Sequence, residues 1–150
     1  SYNILSMIDI GQGLLLKLDF ADGGVCRSPR TFLVVEKNNE EIKLVNISST
    51  NGKEWKLAMQ SNKNIELYNP PFKIRSFAKL DAIYVIPNES CLREALLANG
   101  RRINPTEIES INIARLNYRD GIGNIVERKF SLDEVRRLNS KIDRAYAMAT

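Results

Sequence analysis

Histidine is absent from this 150-residue chain, and cysteine occurs only twice, at Cys26 and Cys91. The lack of an imidazole excludes the usual general acid and base, the triads built on histidine and most zinc sites. Any catalysis must therefore depend on Arg, Lys, Ser, Thr, Asp, Glu or Tyr. Two cysteines without motif spacing predict neither a disulfide framework nor a thiolate metal site, and they favour a reducing cytoplasm.

Long apolar runs are also missing. The longest are "LLL", "FLVV" and "AIYVI", which are too short to span a bilayer, and no signal-peptide pattern is present. We therefore expect a cytoplasmic protein with no membrane association. The net charge of +4 is compatible with a polyanionic partner, but an excess of this size is also common in proteins that bind none.

The first two-thirds of the chain has the pattern of short strands. "GLLLKLDF" alternates apolar and polar residues, which predicts a half-buried strand. "TFLVV" at 31–35 is a continuous β-branched and aromatic run, typical of a strand buried on both faces, and "EIKLVNI" at 41–47 predicts a third strand.

Further alternation predicts the remaining strands, in "EWKLAMQ", "NIELYN" and "FKIRSFAKLDAIYVIP". Within "EWKLAMQ" we expect Trp55 to pack in the core rather than to stack on a base. Short strands at this spacing predict a small, strongly bent antiparallel sheet or barrel over residues 1–88.

The apolar period changes to that of helices beyond Pro87. Three helices are predicted, in "SCLREALLANG", "NPTEIESINIARLNY" and "SLDEVRRLNSKIDRAYAMA". The second begins at the cap Asn104, with Glu107 reaching back, and the third begins with a capping box of Ser131 and Glu134. "RDGIGNIVERK" is the expected flexible link. The sequence therefore predicts an α+β fold, mainly β, with a helical extension of about three helices at 89–150.

Polar groups lie at the ends of predicted strands in three stretches, "RSPRTF", "VNISST" and "FAKLD". At the end of a strand a side chain leaves the sheet while its backbone stays rigid, and this suits a positioned catalytic group. Arg27 and Arg30 flank Pro29 directly before the buried run. Either both arginines are solvated loop ends, or one of them is aimed at a phosphate.

Each of these residues also has a plainer interpretation. Ser48 can simply form the turn before "TNG". Asp81 can pair at the surface with Lys79 or Arg75, an interaction that contributes little.

The order of these motifs over residues 10–87 resembles the MazF/PemK (Kid/CcdB-like) toxin family of bacterial toxin–antitoxin systems. The matching features are a glycine before the first strand, an arginine before a buried strand, a hydroxyl pair after the third strand, and the basic residue and Asp of "SFAKLDAIYVIP". Thr31 stands where the family has a proline, and a locally shifted register would make Arg27 the counterpart instead of Arg30.

The resemblance implies a small SH3-like antiparallel β-barrel at 1–88 that forms a homodimer. It also implies an mRNA interferase, which cleaves single-stranded RNA without metal or cofactor and is neutralised by an antitoxin protein. RNA supplies the nucleophile, its own 2′-hydroxyl, and an arginine fork would stabilise the added charge at phosphorus. The catalytic residues implied are Arg30, Ser48 and Asp81. The RNA-binding residues implied are Arg27, Ser49 and Lys79.

A non-catalytic barrel of the same fold, which binds nucleic acid or protein, is the alternative function. The missing Arg-Pro order and the enlarged helical region are the reasons to consider it. The basic C-terminal helices could also contact nucleic acid independently, but acids such as Glu109 and Asp133 make a solvated face the simpler interpretation.

Overall fold

Seven strands form one sheet in the computed structural model, which describes residues 7–149. The strands are β1 Gly13–Leu16, β2 Arg30–Lys37, β3 Glu41–Ser49, β4 Asn62–Ile65, β5 Ser76–Lys79, β6 Ala82–Pro87 and β7 Val126–Lys129. The helices are α1 Pro105–Gly121, α2 Leu132–Leu138 and α3 Ser140–Ala149, and short 3-10 turns occupy Glu54–Ala58, Ser90–Ala95 and Ala98–Gly100. The predicted α+β class is confirmed. No helix within residues 7–149 is long and apolar enough to cross a bilayer.

The central strand of the sheet is β3. It pairs antiparallel with β2, which pairs antiparallel with β1. On its other side β3 is shared, because residues 47–49 pair with β5 and residues 41–44 pair with β6. β4 pairs antiparallel with β5, and β7 pairs in parallel with β6. Among residues 7–149 these pairings do not close into a barrel, so the SH3-like barrel stays a prediction.

Both faces of the sheet are buried. Phe32 and Val34 of β2 contribute to one apolar cluster, whereas Leu33 and Val35 contribute to the other. This division follows from the strand geometry, in which successive side chains point to opposite faces. Residues of α2 and α3 join the first cluster, and residues of α1 join the second. The continuous apolar run "TFLVV" is thereby explained, and its prediction as a doubly buried strand is confirmed.

The predicted strand at 54–60 is wrong, because Glu54–Ala58 is a 3-10 turn. The Lys56 N–H donates to the carbonyl of Lys53 at 2.9 Å, three residues earlier, rather than to another strand. Trp55 is 67% exposed, so the prediction that it packs in the core is also wrong. Met59 is also exposed and Leu57 is only partly buried, so the alternating residues of this segment do not form a buried face.

The first predicted helix is replaced by two short 3-10 turns, Ser90–Ala95 and Ala98–Gly100. The residues between these turns pair with the edge of β1. Leu96 forms an isolated antiparallel bridge with Leu14, and the Leu97 N–H donates to the Gly13 carbonyl at 2.9 Å. An extended pairing of this kind is incompatible with a continuous helix, which explains why the helical pattern failed here.

The helix predicted from Ser131 onward is split into α2 and α3 at Asn139. Its start is confirmed, because the Ser131 and Glu134 side chains each bond to the other's backbone N–H in a capping box. The break occurs where the Asn139 side chain bonds to the backbone of Lys17, at the end of β1. Asn139 itself has an extended backbone, which ends α2.

The predicted flexible link "RDGIGNIVERK" contains β7, so this prediction is wrong for its second half. β7 lies along β6, and two further bonds extend the pairing at its ends. The Val126 N–H donates to the Asp81 carbonyl at 3.0 Å, and the Phe130 N–H donates to the Val85 carbonyl at 2.9 Å. The segment "VERK" has no apolar pattern that indicates a strand, and it forms one because the edge of β6 is free to pair with it.

The start of α1 is as predicted, because the Asn104 side chain accepts the Thr106 N–H at 2.9 Å and Pro105 is the first helical residue. Glu107, however, does not reach back to the cap. Its Oε1 accepts the N–H groups of Glu66 and Leu67, at 3.0 and 2.9 Å, directly after β4. This nearly buried carboxylate therefore ties α1 to the edge of the sheet.

Candidate active site

A cavity of about 240 Å³ lies at the point where β3 changes partner. The β3–β6 pairing ends at Leu44, and the β3–β5 pairing begins at Ile47, so Val45 and Asn46 pair with neither strand. Opposite this gap the chain passes from β5 to β6. The polar residues that line the cavity are Asp22, Arg30, Asn46, Lys79, Asp81 and Tyr84.

Arg30, the first residue of β2, is held in this cavity by hydrogen bonds and aromatic rings. Its Nη2 donates to the Leu18 carbonyl at 2.9 Å, and its Nη1 donates to the Tyr84 Oη at 3.4 Å. Its guanidinium carbon lies 4.3 Å from the ring centroid of Phe20, and 5.2 and 5.3 Å from those of Phe32 and Tyr84. Cation–π contacts of this kind hold a guanidinium in place without neutralising its charge.

The charge of Arg30 has no carboxylate partner. Of the ion pairs within residues 7–149, none includes Arg30. Its three hydrogen bonds, to Leu18 and Tyr84, leave two of the five guanidinium N–H groups unused. One of these belongs to Nε, which is buried without an acceptor. An unpaired guanidinium in a partly dry cavity is suited to bind an anion.

Lys79 and Asp81 reach the same cavity from the short connection between β5 and β6. Burial lowers the pKa of Lys79 below the ordinary range of lysine, and the charges of Lys56, Arg30 and Lys53 lower it further, whereas Asp81 raises it. The cavity lining thus holds two cations, Arg30 and Lys79, and two exposed carboxylates, Asp22 and Asp81, while Lys53 and Lys56 add positive charge nearby. A bound anion would relieve the repulsion among the cations.

Tyr84 is a cavity residue that sequence reasoning did not assign to the site. Its Oη accepts hydrogen bonds from Arg30 and, at 3.2 Å, from the Ala21 N–H. Since the oxygen is the acceptor in these contacts, its own hydrogen is available to donate. The pairing of Tyr84 with Leu44 places it on the same face as Phe32 and Arg30. No local signal in the uniformly apolar "AIYVI" locates it, because the face that Tyr84 occupies depends on the register between β3 and β6.

Ser48 lies beside Arg30 but outside the lining of the cavity. The β2–β3 register pairs Thr31 with Ile47, so it places Arg30 opposite Ser48. Alternation along β3 puts Ser48 on the same face as Asn46, which does line the cavity. The half-buried Ser48 hydroxyl is therefore at the rim of the site.

Ser49 and Arg27 lie away from this cavity. Ser49 is on the opposite face of β3, where its Oγ accepts the Asn51 N–H at 3.1 Å and it lines a separate groove with Phe72. Arg27 is exposed in the loop between β1 and β2. Of the six residues predicted from the sequence, the structure brings together Arg30, Lys79 and Asp81, with Ser48 adjacent.

Within residues 7–149, no group of three or more Cys, Asp or Glu side chains is placed to hold a metal ion. Comparison with known proteins adds no relative, because no family model matches the chain and no curated protein is similar to it in sequence. The chemistry of the cavity is therefore the basis for assigning a function.

Proposed function

We propose that the chain is a metal-independent endoribonuclease of the MazF/PemK type that cleaves single-stranded RNA. The supporting observation is that Arg30, at the start of β2, lines one cavity with Lys79 and Asp81, which lie at the connection between β5 and β6. In this proposal the strands correspond to the SH3-like barrel of that family. The protein acts as a cytoplasmic homodimer, and an antitoxin protein neutralises it.

The proposed reaction uses the 2′-hydroxyl of the substrate as nucleophile. Asp81 takes the proton from this hydroxyl, the 2′-oxygen forms a bond to the adjacent phosphorus, and the bond from phosphorus to the 5′-oxygen breaks. Tyr84 gives a proton to the departing 5′-oxygen and regains one from solvent. The products are a 2′,3′-cyclic phosphate and a 5′-hydroxyl, so no water is consumed in this step.

Arg30 stabilises the transition state in this scheme. Negative charge grows on the phosphoryl oxygens during attack, and a preorganised guanidinium with unused N–H groups is suited to receive it. Ser48, at the rim, donates a hydrogen bond to the phosphate, and Lys79 holds the RNA backbone. Because removal of one such donor costs about 10²–10³ in rate, Arg30→Ala is expected to lower kcat by about that factor.

The test is RNA cleavage in the presence of EDTA. A fluorescent RNA that contains all short sequence combinations is incubated with the wild-type protein, with Arg30→Ala and with Arg144→Ala. Arg144 is exposed on α3. Its substitution removes the same charge as Arg30→Ala but outside the cavity, and it is therefore the control. We expect cleavage by wild type and Arg144→Ala, with a cyclic phosphate on the 5′ fragment, and a strongly reduced rate for Arg30→Ala.

Two results would overturn the proposal: no cleavage by the wild-type protein, or an equal rate for Arg30→Ala. A DNA strand with one internal ribonucleotide tests the nucleophile, because cleavage must occur only next to that ribonucleotide. RNA binding without cleavage would instead support the alternative, a non-catalytic nucleic-acid-binding module.

A further inference from the structure

The 3-10 turn Glu54–Ala58 presents the only tryptophan of the chain to solvent. Trp55 is 67% exposed, and Met59 at the end of the turn is 46% exposed. The turn buries none of its own residues, so its apolar side chains do not contribute to the core. The exposed ring of Trp55 is therefore accessible for contact with a partner.

This turn is rigidly attached to the sheet next to the cavity. The N–H groups of Lys53 and Lys56 donate to the carbonyls of Thr50 and Lys53 at 2.8 and 2.9 Å. The Asn62 side chain then donates to the Lys56 carbonyl at 3.0 Å. Asn62 is the cross-strand partner of Lys79, which lines the cavity. The turn is thus joined to the cavity through one residue pair.

Positive charge is continuous between the turn and the cavity. Lys53 and Lys56 are close enough to Lys79 to act on its titration, and the Lys56 Nζ lies 5.4 Å from the centroid of the Trp55 ring. The cations of this region are Arg30, Lys53, Lys56 and Lys79, and the carboxylates beside them are Asp22, Glu54 and Asp81, so the cations are in excess by one. An exposed aromatic ring among excess cations is the arrangement that binds single-stranded nucleic acid.

We infer that Trp55, Lys53 and Lys56 form a subsite for the RNA nucleotides next to the cleaved phosphate. One base stacks on the Trp55 indole, and the two ammonium groups contact the neighbouring phosphates. RNA as the ligand follows from the proposed function, on which this inference rests. Because every base has a π-face, the subsite contributes affinity rather than base selection. The excess of positive charge favours a polyanion over a protein as the occupant of Trp55.

Trp55 can report on its own occupancy, because it is the only tryptophan in the chain. The probe is a 2′-O-methyl RNA oligonucleotide, which lacks the nucleophile and stays uncleaved. We expect its titration to quench the tryptophan fluorescence with saturation. In fluorescence anisotropy with a labelled oligonucleotide, Trp55→Ala should weaken binding about 10- to 100-fold, and Trp55→Phe should recover part of the loss.

Two further variants make this test specific. Met148→Ala removes a more exposed apolar side chain on α3 and should leave the affinity unchanged. Lys53→Gln combined with Lys56→Gln should reduce the slope of log Kd against log salt by about one to two, since fewer phosphates are neutralised.

Failure of the subsite and failure of the nuclease are distinguishable. Saturable quenching supports the subsite even if RNA is never cut. RNA cleavage by wild type together with unchanged fluorescence and an unaltered affinity of Trp55→Ala overturns the subsite and leaves the nuclease intact. A fluorescence change without oligonucleotide that follows dimer formation in sedimentation assigns Trp55 to a protein interface and also overturns it.

Discussion

The side-chain amide of Asn139 pairs with the backbone of Lys17 in both directions. Its Nδ2 donates to the Lys17 carbonyl at 3.0 Å, and its Oδ1 accepts the Lys17 N–H at 2.8 Å. Nδ2 also donates to the Val135 carbonyl at 2.9 Å. Asn139 thus continues the pairing of the edge strand β1 after its last residue and stabilises the end of α2. One side chain therefore connects the end of the first strand to the end of α2.

Asn139→Ala is expected to lower the free energy of unfolding by about 1–3 kcal/mol. The alanine leaves the partly buried N–H and carbonyl of Lys17 without hydrogen-bond partners. Leaving such groups unpaired destabilises the folded protein by more than the net contribution of an ordinary hydrogen bond. Urea denaturation followed by circular dichroism measures the change. Asn117→Ala, at an exposed position of α1, is the control and should change stability by no more than about 0.5 kcal/mol. Equal effects of the two variants would contradict the structural role of Asn139.

Glu107→Ala is expected to destabilise the protein by about 1–3 kcal/mol, because it removes the acceptor of the Glu66 and Leu67 N–H groups. Glu107→Gln keeps an oxygen at this position and should lose less. Glu109→Ala, at an exposed position of the same helix, should be nearly neutral. Thermal unfolding of the three variants measures the order. A loss for Glu109→Ala as large as for Glu107→Ala would refute the assignment.

RNA binding should become weaker as the pH rises through the pKa of Lys79. Burial lowers this pKa in the free protein, with help from the charges of Lys56, Arg30 and Lys53. An RNA phosphate favours the ammonium form and raises the pKa of Lys79 in the complex. At a pH between the pKa of Lys79 in the free protein and its pKa in the complex, binding of RNA is therefore accompanied by uptake of a proton. In the free protein, stability increases as the pH rises through the lowered pKa, since the unfolded chain then binds more protons.

Affinity for the 2′-O-methyl RNA, measured between about pH 7 and pH 10, checks this coupling. Lys79→Arg is the matched variant, because a guanidinium stays charged over the whole window. Its affinity should depend less on pH than that of wild type. Parallel pH curves for the two proteins would show that Lys79 is not the group involved.

The strands that were predicted correctly have an apolar pattern within their own residues. The run "TFLVV" and the alternation of "EIKLVNI" reflect burial on the two faces of β2 and β3, which the local sequence records directly. The Glu54–Ala58 turn has a similar alternation, but no neighbouring strand covers it. Whether an apolar side chain is buried depends on what packs against it, and one segment cannot show this.

β7 and the break at Asn139 depend on distant partners. "VERK" has no apolar pattern, yet it forms a strand because the edge of β6 is free to pair with it. Asn139 interrupts a regular helical pattern because its side chain bonds to Lys17, 122 residues away in sequence. The local sequence of "VERK" does not indicate its pairing with β6, and the sequence around Asn139 does not indicate its bonds to Lys17.

The candidate site was predictable to the extent that it lies at the ends of strands. Arg30, Lys79 and Asp81 were singled out in this way, and the structure places them around one cavity. Tyr84 was not assigned, because its position depends on the register between β3 and β6. Ser49 was grouped with Ser48, although adjacent residues of a strand point to opposite faces.

The parallel pairing of β7 with β6 also affects how the protein unfolds. Val126 bonds to the carbonyl of Asp81, the residue proposed as the base, and Phe130, Val135 and Ile142 share a core with residues of β1 and β2. Detachment of the C-terminal third would release Asp81 and open that core at once. Melting of α2 and α3 and loss of the cavity around Arg30 should therefore be a single cooperative event.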